Sequence, residues 1–195
     1  MKATITIALL STLVLAGCGS SPPNRYYLLT PGTTAEAVGQ APALGVGPVE
    51  VAAYLDRAGL ASRLEGNHLH ISRTERWAEP LDSGIARVLT LNLSSLLDTA
   101  NVRSFPWNAR EAPAVGVRVN VLALEAGETD ATLVVEWQVY RPASGEMGER
   151  HLSRLSRALG AGTEEAAAAQ LAAACSELLY RLSQAIAAEI GQLKL

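Results

Sequence analysis

Two segments of this chain place apolar residues at every second position, and two others place them every three or four. Val115, Val117, Val119 and Val121 alternate with other residues, and so do Leu133, Val135, Trp137 and Val139 after a turn through Gly127. A period of two marks a strand with one buried face, so the pair predicts a hairpin. The intervening Glu136 and Gln138 then point to the opposite face, which is either wet or covered by a polar partner. Leu81, Ile85, Val88, Leu89, Leu93, Leu96 and Leu97 recur at helical spacing and predict an amphipathic helix over residues 80–98. Pro80 falls in its first turn, where a missing N–H is harmless. A second helix is predicted from Thr163, a suitable N-cap followed by Glu164 and Glu165, which the helix dipole favours. Its apolar line is Leu171, Cys175, Leu178, Leu182, Ile186, Ile190 and Leu193. About thirty residues at 1.5 Å each span roughly 45 Å, which leaves two readings open. Either the far end projects or packs against another copy, or the helix lies fully along its own sheet.

The remaining pattern is weaker. Arg25–Thr30 reads as a first strand after Pro22-Pro23, and the turn-rich residues 31–42 as a loop. Residues 44–51 read as a second strand whose Gly47-Pro48 interruption suits an edge or a bulge. A polar stretch, Asp56 to Glu65, leads to a third strand around His68–Arg73. A short strand at 102–105, a turn at 142–148 and a weaker strand at 150–157 complete the series. No internal repeat and no second domain boundary interrupts residues 25–195. The expected fold is one α+β domain, with a mixed, largely antiparallel sheet packed against two main helices.

Composition narrows the function more than the fold. With 195 residues, 49% of them hydrophobic, and a formal net charge of −3, the chain is neither disordered, collagen-like nor a disulfide mini-scaffold. It carries no basic surplus with which to neutralise phosphates, so no nucleic-acid role is expected.

The N-terminus adds an address. Lys2 is a positive n-region, and Ile5 to Leu15 is an apolar run of signal-peptide length, too short for a bilayer span. It ends in Leu15-Ala16-Gly17-Cys18, the pattern of a bacterial lipobox, rather than in an ordinary secretory site with a chance cysteine. Residues 1–17 are therefore read as a lipoprotein signal peptide, Cys18 as the lipidated first residue, and 18–24 as the tether. Several acyl chains make such an anchor stable where one would not. Gly19, in place of Asp, favours the outer membrane over the inner. The six residues between Cys18 and Arg25 reach at most roughly 20 Å, which pins the domain close to the periplasmic leaflet.

Catalytic chemistry is hard to assemble. The chain has no GxSxG, Walker A or HExxH motif, and Gly45-Val46-Gly47 lacks the third glycine of a dinucleotide loop. His68 and His70 share a strand face, but only His151 could join them, so they read as solvated positions rather than metal ligands. Cys175 lies on the apolar line of a helix and reads as a core residue. No cofactor or metal is expected, the covalent lipid on Cys18 aside. Asp56 with Arg57, and Arg76 with Glu79, read as local ion pairs. What stands out is a density of bulky and charged residues at 54–63 and 76–81. Trp77 could cap the core while Arg76 and Glu79 fix the helix start. Alternatively Tyr54, Leu55, Asp56, Arg57, Leu60, Arg63, Arg76, Trp77 and Glu79 form a partner-contact surface, since Trp, Tyr and Arg are favoured anchors.

These same segments carry a resemblance. Tyr26-Tyr27-Leu28-Leu29, Val46-Gly47-Pro48-Val49, Tyr54-Leu55-Asp56-Arg57 with Arg63 and Asn67, and above all Arg76-Trp77-Ala78-Glu79-Pro80-Leu81 are similar to the PqiC family of paraquat-inducible lipoproteins, the ABC-type transport auxiliary lipoproteins. Trp107 after Pro106 and Trp137 also match, and the likeness runs from Tyr26 to Leu193. The family usually has proline on either side of the YLDR segment, where this chain has Ala53 and Ala58. The resemblance implies an outer-membrane lipoprotein facing the periplasm. Its implied partners are MCE-domain proteins that form a conduit between the membranes for phospholipid or another hydrophobic cargo. It implies a non-enzymatic docking component, with a homo-oligomeric ring as one arrangement. The alternative is a lipid-binding module that itself shelters an acyl chain and so needs an apolar cavity. An envelope hydrolase is the least supported, for want of a nucleophile with a base and an orienting group.

Overall fold

Eight strands and two helices account for most of the chain in the computed structural model, which describes residues 22–33 and 35–193. The expected signal peptide, the expected lipidation site Cys18 and the first part of the expected tether lie outside the described residues. The strands are β1 (Arg25–Tyr27), β2 (Leu44–Val51), β3 (Gly59–Arg63), β4 (Leu69–Trp77), β5 (Val102–Ser104), β6 (Val115–Ala126), β7 (Asp130–Arg141) and β8 (Glu146–Ala158). The helices are α1 (Leu81–Leu96) and α2 (Glu164–Gln192), with a single 3-10 turn at Ala109–Glu111.

The long strands form the antiparallel run β6–β7–β8, of which the alternating pattern predicts the β6–β7 hairpin. Along the other edge of β6, β2 pairs in parallel with residues 115–121, while β3 reaches it only at Ser62 opposite Ala126. The β3–β4 hairpin is antiparallel, and β1 and β5 add short parallel ladders to β4 and β2. The result is one mixed sheet curled into a half-barrel. Both helices lie against it and against each other, so the apolar lines of α1 and α2 close the core over Val115, Val117, Val119, Leu133 and Val135. Burying an aliphatic side chain of this size contributes about 1.5–3 kcal/mol, which is why both patterns were legible.

Thr163 caps α2 as expected, its hydroxyl accepting from the Ala166 N–H at 3.3 Å. The helix lies along its own sheet throughout, with Ile190 buried and Leu193 packed against the core. The Gly47-Pro48 interruption is a bulge, not an edge: the β2–β6 register shifts between Val46 and Val49, and Gly47 holds φ at 132°. A Cβ there would also meet the Phe105 side chain at 2.4 Å, so only glycine fits.

Three expectations change. The polar stretch 56–65 contains β3, whose short run offers only Leu60 and Ala61 to the core and so shows no periodicity. Strand β4 continues past Arg73 to Trp77, so Arg76 and Trp77 belong to the sheet rather than to the helix entry. Strand β1 stops at Tyr27, after which Leu29 turns into the core and the Thr30 N–H donates to the Ser176 hydroxyl at 3.1 Å.

Asn92 is fully buried between the helices. Its amide donates to the Ser183 hydroxyl at 3.1 Å, and its carbonyl accepts from the Gly32 N–H at 2.9 Å. This clip satisfies a polar group that would otherwise be stranded in the core, and it fastens the loop after β1 to both helices.

Candidate functional site

The β3–β4 hairpin, the β6–β7 turn and the first turns of α2 meet at one end of the sheet. Between them lies a concavity of about 380 Å³. Its floor is apolar, made by Leu60, Ala126, Leu159, Ala168 and Leu171, with the exposed Leu64 at its edge. Arg63, Glu65, His70 and Glu128 stand among its polar lining residues.

Two buried carboxylates secure this end. Glu75 of β4 is buried, accepting from the Tyr27 hydroxyl at 2.6 Å and from Arg25 Nη1 at 2.9 Å. The Tyr27 hydroxyl, seconded by Arg25, holds the Glu75 carboxyl below its usual range against the opposing effect of burial. Burial, with Glu75 alongside, pushes the Tyr27 phenol up to about 12. Arg25 reaches further, to Glu165 in the first turn of α2 at 3.1 Å. Strand β1 is thus latched to both β4 and α2, beside the concavity.

Glu125 of β6 repeats the arrangement. It accepts from Arg63 Nε at 2.5 Å and from the Tyr54 hydroxyl at 3.0 Å. Burial raises the Tyr54 phenol to about 12, with the Glu125 hydrogen bond as the next cause. Leu124, Glu125 and Ala126 are all buried in succession, so this end of β6 is covered on both faces.

The residues expected at a contact surface separate accordingly. Tyr54 and Arg63 come together, but around Glu125, which anchors them to the sheet. Leu55, Leu60 and Trp77 are 4%, 3% and 8% exposed and face the core. Glu79 pairs with Arg87 at 2.5 Å rather than with Arg76, and Arg87 also donates to the Leu29 carbonyl at 2.8 Å. Arg76 is half-buried on β4, with Tyr26 as its neighbour on β1. Asp56 and Arg57, on the turn between β2 and β3, are exposed, and so is Arg63, although its guanidinium is tied to Glu125.

Of the residues with chemical potential, His68 and His70 are exposed, His70 at the concavity. His151 stacks on Trp137 with ring centroids 4.1 Å apart, while the Trp137 indole N–H donates to the Ser153 hydroxyl at 3.0 Å. Cys175 is buried on α2, and burial pushes its thiol up to about 12, which leaves almost no thiolate at neutral pH. Sequence reasoning missed Glu75, Glu125 and Asn92. Each is a polar residue whose neighbours in sequence say nothing about its partners 48, 71 and 91 positions away.

Comparison with known proteins agrees with this architecture. The family described as ABC-type transport auxiliary lipoprotein component matches residues 26–187. Two solved structures share the fold. One, an uncharacterised protein, is 21% identical with a TM-score of 0.69, covering 87% of this chain and 99% of the other. The second, a Xanthomonas campestris protein assigned to DUF330, is 15% identical with a TM-score of 0.69, covering 86% of this chain and 97% of its own. No curated protein sequence matches the chain.

Proposed function

The chain belongs to the family of ABC-type transport auxiliary lipoprotein components, and from that premise we propose that it is a non-enzymatic docking component of an MCE-type lipid transport system. Lipidated Cys18 would hold it on the periplasmic face of the outer membrane. The observation that carries this reading is how the tether enters the fold. Arg25, separated from Cys18 by six residues, is latched to Glu75 and Glu165, so no slack follows the short linker. With a reach of roughly 20 Å, the domain sits against the leaflet and cannot cross the periplasm unaided. Among the described residues no helix is long and apolar enough to cross a membrane, which fits an anchor supplied outside the fold. The exposed Asp56–Arg57 turn, next to the Tyr54–Glu125–Arg63 cluster, is a part of the expected contact surface open to an MCE-domain protein.

The test is co-purification of full-length lipoprotein with the MCE-domain protein from mildly solubilised membranes, comparing wild type with Cys18→Ala and Arg57→Glu. The reading expects the MCE protein to be retained by wild type, and depleted by both substitutions while the fold persists. Retention unchanged by Arg57→Glu would remove the turn from the interface. An absence of any MCE-domain protein in the wild-type sample would overturn the docking role.

A further inference from the structure

The concavity between β3, β4, the β6–β7 turn and α2 combines an apolar lining with polar and charged groups. Its floor is aliphatic, and Leu64, 45% exposed, presents an apolar edge at the same place. Polar and charged groups, Arg63, Glu65, His70 and Glu128, also line it. An apolar floor with polar groups around it matches an amphiphile whose chain goes in and whose head stays out. The other large concavities among the described residues have different linings. The groove between α1 and β2 includes Asp82, Ser83, Arg87 and Thr90, and the hollow outside the sheet includes Glu50, Arg118, Asn120, Glu136 and Arg150.

The position of the concavity identifies the occupant. Glu75, one of its lining residues, holds Arg25, and Arg25 also holds Glu165, two residues before the lining residue Ala167. The tether therefore leaves the fold beside this concavity. Its six residues span at most roughly 20 Å to the lipidated cysteine, so this end of the domain faces the leaflet. We infer that the concavity takes one acyl chain of a diacyl phospholipid from the membrane beneath it. This rests on the membrane-anchored reading and adds a lipid site to the docking role. Glu75 serves both purposes, holding Arg25 in the latch for the tether and lining the site.

The experiment reconstitutes the full-length lipoprotein into phosphatidylethanolamine–phosphatidylglycerol vesicles containing a phospholipid with a photoreactive group along one acyl chain. Flotation first establishes that the protein is anchored, and illumination followed by peptide mapping locates the adducts. The expected adducts fall within residues 60–72, 126–128 and 159–171. Ala167→Trp, which adds bulk at an exposed lining position, should remove most of that yield. Ala188→Trp, at an exposed position on the same helix away from the concavity, should leave it unchanged. Flotation with adducts elsewhere, or with yields insensitive to Ala167→Trp, overturns the lipid site and leaves the anchor standing. Failure to float overturns both, because the membrane-facing placement is what names the occupant. Adducts dominated by the protein's own N-terminal lipid-bearing peptide would likewise reject a phospholipid occupant.

Discussion

Removing one oxygen atom from Tyr54 tests whether this side chain organises the fold or waits for a partner. In Tyr54→Phe the ring remains, so no cavity opens, but the Glu125 carboxylate loses the donor at 3.0 Å and keeps only Arg63. A hydrogen bond to a charged group contributes about 1.5–3 kcal/mol. Tyr54 is half-buried, which places the expected loss at the lower end, about 1.5 kcal/mol. For a domain of this size that corresponds to a fall in Tm of about 3–6 °C at neutral pH. The deficit should also depend on pH. The Tyr54 phenol is raised to about 12 in the folded protein, so the stability it supplies is complete below the ordinary tyrosine value and is lost as pH rises through about 12. The gap between wild type and Tyr54→Phe must therefore narrow in strongly alkaline solution. Thermal and urea melts followed by circular dichroism measure both effects. An unchanged Tm at neutral pH, together with weakened binding of the MCE-domain protein, would refute the reasoning and return Tyr54 to the contact surface.

The other predictions follow from the same geometry. Glu75 is held below the usual carboxylate range by Tyr27 first and Arg25 second, so its contribution is present above that range and is lost as pH falls through the lower folded value. Urea midpoints of wild type and Tyr27→Phe should accordingly converge on acidification, and parallel pH profiles would count against the latch. Leu60→Glu buries a charge at a position 3% exposed and should destabilise by more than about 3 kcal/mol, seen as loss of the cooperative melt. Arg57→Glu on the exposed turn should stay within about 0.5 kcal/mol of wild type, and the same melt compares the two. Cys175, with its thiol raised to about 12 by burial, should resist an aromatic disulfide reagent at pH 8 until denaturant unfolds the protein; fast labelling of the native state would contradict its place in the core.

The sequence by itself determined the parts of this protein that depend on local periodicity. The β6–β7 hairpin and both helices with the Thr163 cap are each written in residues close together, because a period of 2 or 3.6 turns burial directly into pattern. The expected lipidation motif is equally local. Strand β3 was not legible, since five residues with two buried side chains carry no period, and its pairing with β4 and Ala126 supplies what its own composition lacks. The residues expected at a contact surface do not share one exposed face, for the same reason. Tyr54, Leu55, Leu60, Trp77 and Arg63 look alike in a linear reading, a run of large and charged groups. The tertiary structure alone decides that Leu55, Leu60 and Trp77 turn inward and that Tyr54 and the exposed Arg63 close on Glu125, while Asp56 and Arg57 stand exposed on the turn. A buried carboxylate is tolerable only when distant donors converge on it, and that convergence is a property of chain crossings rather than of neighbours in sequence. The apolar concavity has the same origin: its walls come from β3, β4, β6 and α2, segments that meet only when the sheet curls and the long helix lies across its end.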